Sequence, residues 1–340
     1  NKHVTRGFDV RRIFATMAAS YLAAPRFTEE EEEQEQAEMT EEERDEALRD
    51  LYGDLYDGLN RGGENANDGG GGPGGAPSTT TTTTTTDALD EPVERGLAEL
   101  DAELARLARE PLVVKSLEGF GQTYLQTSCI ERARSACPDI VDSDKHKLRF
   151  LRAENFNASL AAVRLINYWN ERIQIFGDEK AFQRLTLTEA LRDDTSEISL
   201  GFCSLAPELD GSGRAIVVVD QSKLEKQKWC NLKRSTMLRA VWYVFHAALE
   251  NVAAQRRGVV LMIIPRNAQF DQFDRKLESQ MTRSTRDVLP IRVVGVHVCH
   301  PPGFYGMIAP NAKYLLGRKM RARLRVHSGS FRTCLKELAE

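Results

Sequence analysis

Three runs of apolar residues, each too short for a buried helix, fall in the second half of the chain. They are Gly213-Arg214-Ala215-Ile216-Val217-Val218-Val219, Gly258-Val259-Val260-Leu261-Met262-Ile263-Ile264, and the stretch from Arg292 to Cys299. Nearly every position is apolar, rather than every second one, and that is the pattern of a strand buried on both faces. Helix-length segments separate the runs, the longest carrying Leu238, Val241, Val244, Phe245, Ala248, Leu249 and Val252 on its apolar side. Strands alternating with helices predict an α/β domain, its sheet covered on both faces and its neighbours parallel. Asp210-Gly211-Ser212-Gly213 is the turn that feeds the first strand.

Upstream, the period changes to that of helices. Leu89, Val93, Leu97, Leu100, Leu104 and Leu107 line one face of a helix over 87–109. Asp142 or Ser143 can cap a helix containing Leu148, Phe150 and Leu151. Asn157 can cap the next, with Leu160, Val163, Ile166, Trp169, Ile173 and Phe176 on its buried side and Gly177 at its end. These antiparallel helices form an N-terminal helical bundle over 87–184, ahead of an α/β domain over 185–340.

The first 86 residues have a different composition. Residues 29–57 are dense in carboxylates, 62–77 in glycine, and 79–86 are all threonine, so this part is predicted to be a largely disordered tail. Within it, Phe8, Val10, Ile13, Phe14, Met17 and Tyr21 make a basic amphipathic helix suited to a membrane surface or to targeting. Leu48, Leu51, Tyr52, Leu55, Tyr56 and Leu59 form a second stripe, with Thr40 and Glu43 as a capping box. Gly53 makes that helix marginal alone, so it needs a partner or the folded domain to form. The net charge of −4 is dominated by this acidic tract; the remainder is basic, which suits an anionic surface or ligand.

The helix Leu148-Arg149-Phe150-Leu151-Arg152-Ala153, followed by the three strands in that order, resembles the CRAL-TRIO lipid-binding and lipid-transfer family from about Asp144 to Gly329. The resemblance implies a hydrophobic ligand or phospholipid held in a pocket on one sheet face, which we place at Val260, Met262, Ile264, Val296 and Val298 with Val244 and Ala248. It also implies a mobile helix after the third strand, with Phe304, Ile308 and Leu315 as its apolar contacts. Arg292 and the run Arg318, Lys319, Arg321 and Arg323 then become candidates for anionic headgroups or transient membrane contact. The chain departs from the members that carry phosphatidylinositol at Glu154, Asn155 and Gly295, where those members have basic residues, and this argues against inositol-lipid exchange.

No catalytic constellation is legible. Ser212 sits in a turn, not a nucleophile elbow. His297, Cys299 and His300 lack a zinc spacing, and no phosphate-loop motif occurs. The six cysteines form no Cys-x-x-Cys pair and fit a reducing compartment. No apolar run is long enough to span a bilayer. The expectation is a non-enzymatic lipid carrier or sensor without cofactor, metal or nucleic-acid partner, cytoplasmic with peripheral membrane association. The alternative is an adaptor with a vestigial lipid fold that recruits a protein through residues 40–60.

Overall fold

The structure is a computed structural model that describes residues 24–52, 91–110, 113–115, 122–124, 126–224 and 232–339. The basic stripe of residues 8–21, the glycine and threonine runs, Leu55, Tyr56 and Leu59 lie outside these residues. The longer helices are α1 (Glu29–Glu38), α2 (Glu41–Tyr52), α3 (Glu91–Arg109), α4 (Ser128–Ala136), α5 (Asp144–Ala153), α6 (Ala158–Lys180), α7 (Arg234–Ala248), α8 (Arg275–Arg283), α9 (Tyr305–Ala322) and α10 (Phe331–Ala339). The strands are β1 (Val113–Lys115), β2 (Gln122–Tyr124), β3 (Cys203–Leu205), β4 (Ala215–Asp220), β5 (Val259–Ile264), β6 (Val293–Cys299) and β7 (Leu324–His327).

Local signals set the bundle. The Ser143 hydroxyl accepts from the His146 amide at 3.2 Å and starts α5; Asn157 accepts from the Leu160 amide at 3.0 Å and starts α6. Gly177, at φ +74°, breaks α6 where the sequence places its end. Leu97, Leu100, Leu104 and Leu107 are buried. In α6 the buried side is wider than a single stripe, because the helix lies between α3 and α7. Leu165, Ile166, Tyr168, Trp169 and Phe176 are buried, while Leu160 is on the surface.

Bundle and sheet share one continuous core. Tyr168 stacks on Trp242 of α7 at 5.2 Å, and its hydroxyl bonds His246 Nε2 at 3.0 Å while Arg172 donates to it at 2.7 Å. His246 Nδ1 faces the Trp242 carbonyl at 2.7 Å, so it carries the proton and Nε2 accepts from the phenol. Burial drives the His246 pKa down to about 3, so the ring is neutral in the fold.

β1 and β2 form a separate antiparallel ribbon, and the main sheet runs β3-β4-β5-β6-β7. β3 pairs antiparallel with β4, and the other neighbours are parallel, as the apolar runs predict. Gly258 makes the β5–β6 junction possible. At φ +94°, a Cβ there would stand 2.5 Å from Val294 Cγ1 and 2.8 Å from the Arg292 carbonyl.

Sequence order equals spatial order from β4 to β7, and this has a consequence for the layers. Successive right-handed crossovers that always step the same way lay their helices on the same side of the sheet. α7, α8 and α9 all lie on that side, called here the front. Among the described residues no crossover helix lies on the back, and what covers it there comes from elsewhere in the chain. α2 packs on β6 there with Ala47 and Leu51 buried, and α10 packs along β7.

The acidic tract therefore departs from the predicted disorder over 29–52. Thr40 and Glu43 form the expected capping box, with the Glu43 amide to the Thr40 hydroxyl at 3.2 Å and the Thr40 amide to the Glu43 carboxylate at 3.0 Å. The physical reason is long-range. The folded domain presents an apolar back face and a run of arginines, and this segment packs on the one and pairs with the other.

Candidate functional site

Between the front of the sheet and the crossover helices lies a cavity of about 170 Å³. Its strand wall is made by Val219, Leu261, Ile263, Val296, Val298, Leu324 and Val326. α7 contributes Met237, Val241 and Phe245, four residues apart and so on one helical face. α8 contributes Leu277 and Met281. α9 closes the remaining side with Ile308, Ala312, Leu315 and Leu316. The polar lining residues are Gln221, Gln272, Asp274, Glu278, Thr282, Thr285, Tyr305 and Lys313. Burial, reinforced by the charge of Glu278, pushes the Tyr305 phenol up to about 12, so it stays a neutral hydroxyl in the wall.

This geometry corrects the register read from the sequence. Val296, Val298, Ile308 and Leu315 line the cavity, but on β5 the lining residues are Leu261 and Ile263. Val260, Met262 and Ile264 alternate with them and point to the back. On α7, Val244 and Ala248 are buried but do not line the cavity, whose lining on this helix is Met237, Val241 and Phe245. Phe304 lies beside the cavity, not in it. It meets Phe270 and Phe273 edge-on, each at 5.5 Å, in a small second core with Ala268 and Ile308 that anchors the start of α9.

α9 is two helices joined at a break. Gly317, at φ +72°, interrupts the turn. Carbonyls that would accept from the missing turn are taken by arginines instead: Arg321 donates to the Lys313 carbonyl at 3.0 Å and Arg286 to that of Leu315. Pro310 sits inside the longer half.

The basic residues proposed for anionic contact face the acidic helices. Arg318 pairs with Glu43 at 2.8 Å, Arg321 with Glu35, Arg323 with Asp50 at 2.7 Å, and Arg292 with Asp50 at 3.8 Å. Lys319 is exposed and offers its carbonyl to Arg323. Elsewhere, Arg239 pairs with buried Asp194 at 2.7 Å and Arg234 with Asp274.

At the back edge, His297 Nδ1 and His327 Nε2 lie 2.9 Å apart, and His327 Nδ1 meets Glu337 at 2.9 Å. Burial, with His327 adding to it, lowers His297 to about 4. Among the described residues no group of three or more His, Cys, Asp or Glu side chains is placed to hold a metal ion. Among them too, no helix is long and apolar enough to cross a membrane.

Comparison with known proteins gives the following. Residues 213–339 match the family model described as a divergent CRAL/TRIO domain. Over 207 residues the chain is 24% identical to alpha-tocopherol transfer protein-like from Homo sapiens and, equally, to that from Pongo abelii. Each alignment covers 58% of this chain and 56% of the relative, so the chain spans about half the length of these curated relatives. Among solved structures, the crystal structure of Sfh5 aligns with a TM-score of 0.42 at 12% identity, covering 71% of this chain and 82% of that one.

Proposed function

We propose, for a chain that belongs to the CRAL/TRIO family through residues 213–339, that it binds one small hydrophobic ligand in the front-face cavity and carries or senses it without chemistry. The observation that supports this reading is the cavity itself: apolar side chains from four strands and three helices converge on a space they do not fill. Well-packed interiors leave few voids larger than a water molecule. An apolar void bordered by a few polar groups at one end is the usual form of a small-molecule site. The name of the similar curated relatives, alpha-tocopherol transfer protein-like, is in keeping with a ligand of this class.

In this reading Leu261, Ile263, Val296 and Val298 are the floor, Met237, Val241 and Phe245 one wall, and α9 the cover. Its opening admits the ligand, with Gly317 as a hinge point. Gln272, Glu278 and Tyr305 meet the polar end of the ligand.

The test is a pair of tryptophan substitutions on opposite faces of the same strand. Leu261→Trp fills the cavity and should abolish uptake of a fluorescent fatty acid; Met262→Trp, on the back, should leave uptake near that of the parent. Overpacking costs stability in either case, about 1–3 kcal/mol, so each variant is first checked for a cooperative melt. A folded Leu261→Trp protein that takes up the probe as the parent does sinks the cavity reading.

A further inference from the structure

The cavity helix has a second contact surface besides the one that lines the cavity, with Lys313 at the border of the two, and residues 24–52 occupy it. The Phe27 amide donates to the Pro310 carbonyl at 3.0 Å, and the Asn311 side chain donates to the Pro25 carbonyl at 2.8 Å. Lys313 meets Glu32 at 2.6 Å, and the Arg321 guanidinium lies over the Phe27 ring at 3.8 Å while pairing with Glu35. Arg318 is held by Glu43 and Arg323 by Glu46 and Asp50. Arg214, next to β4, caps the end of α2 by donating to the carbonyls of Asp50 and Leu51.

What holds this segment differs along its length. α1 is EEEEEQEQAE and buries no residue at all. A helix with no apolar face is not held by burial, so its position rests on ion pairs with α9. α2 adds only Ala47 and Leu51. The Lys313–Glu32 and Arg318–Glu43 pairs are open to solvent, whereas Arg321–Glu35 and Arg323–Asp50 are largely shielded. Attraction at the open pairs is non-specific in its partner, and a surface of similar negative charge density can replace their glutamates.

We propose that residues 24–52 are a displaceable strap that latches α9 over the cavity, and that an anionic phospholipid surface competes with it for Lys313, Arg318 and Arg321. The carboxylates of α1 stand where lipid headgroups would. Tyr314, 45% exposed, and Lys319, also exposed, lie on the same helix. An exposed aromatic ring beside a basic run is the two-part composition of an interfacial helix. Displacing the strap frees α9 at the membrane, where a hydrophobic ligand has to enter or leave. That last coupling rests on the cavity reading above; the competition itself does not.

Salt does not test the idea, since it screens strap and membrane alike. Hydrogen exchange on the full chain does, with vesicles of phosphatidylcholine alone or mixed with phosphatidylserine. Phosphatidylserine vesicles should speed exchange of residues 29–52 at least about tenfold, given three basic residues transferred to the surface, and phosphatidylcholine vesicles should not. Glu32→Gln, Glu35→Gln and Glu46→Gln combined should tighten binding to the anionic vesicles about tenfold. Arg318→Glu with Arg321→Glu should abolish that gain. Residues 29–52 as protected on phosphatidylserine vesicles as in solution would overturn the proposal even if the glutamine variant failed to fold. So would displacement by soluble polyglutamate but not by vesicles, which would make the partner an acidic protein. Failure of the fluorescent fatty acid to enter even on phosphatidylserine vesicles that release residues 29–52 overturns only the cavity reading.

Discussion

On the front of the sheet, Leu261 and Ile263 are covered by helices that the chain has to lay down in passing from one strand to the next. On the back, Met262 and Ile264 belong to a face that no crossover reaches, and part of it is covered by a helix from more than two hundred residues away in sequence. The front is closed by connectivity and apolar burial, and it retains a cavity. The back is closed by a short apolar seam and a row of ion pairs. The difference teaches that the two coverings respond to different perturbations. The front fails with the fold, while the strap can leave and the domain remain.

The largest effect should come from the front. Phe245→Ala removes a fully buried ring shared by the core and the cavity wall and should cost about 3–5 kcal/mol in global stability. The matched change at the back is Leu51→Ala. Its cost is capped by the docking energy of the strap, because a weakened strap can detach without unfolding the sheet. A denaturation series checks this directly: the comparison breaks if Leu51→Ala costs as much as Phe245→Ala.

An intermediate effect concerns pH. His246 has its folded pKa depressed to about 3 by burial, against an ordinary value of 6.5. The unfolded state therefore binds more protons between these values. The stability held above pH 6.5 is lost as pH falls toward 3. From pH 6.5 to pH 5 this amounts to about 1.5–2 kcal/mol. His246→Gln should flatten the slope in that window, leaving what buried His146 and His297 contribute in the same direction. An unchanged slope in chemical denaturation would remove His246 from the account.

The smallest effect belongs to a single strap contact. Lys313 and Glu32 are both partly exposed, so Lys313→Gln should cost at most about 1 kcal/mol and nothing measurable at high salt. A cost above that range, persisting in salt, would mean that the strap is held by more than charge.

Much of the fold was legible because its signals are local. Ser143 and Asn157 cap helices where the sequence puts them, and β4, β5 and β6 fall on the three apolar runs. The cavity face was not legible. In a parallel sheet both faces of β5 are apolar, so Val260-Met262-Ile264 and Leu261-Ile263 read alike. Only the order of strands and the hand of the crossovers choose between them. Val296, Val298, Ile308 and Leu315 lie beside that cavity, whereas Phe304 is drawn into an aromatic cluster with Phe270 and Phe273 that nothing in its own neighbourhood announces. The strap left half a signal. Its acids and the arginines of α9 are conspicuous separately, and pairing them requires a contact across nearly the whole chain.

Because strap and cavity helix belong to one polypeptide, the glutamates of α1 never dilute away from their arginines. Their effective concentration is set by the covalent path between Tyr52 and Glu91 and does not change with the amount of protein. Linked sites of this kind reach roughly the millimolar range. Individually weak pairs are then enough to hold the strap, and a soluble monovalent anion can replace only one carboxylate at a time. A surface that offers many fixed charges at once competes on equal terms. The arrangement thereby discriminates by valency: it distinguishes an array of negative charges from the same number of charges free in solution.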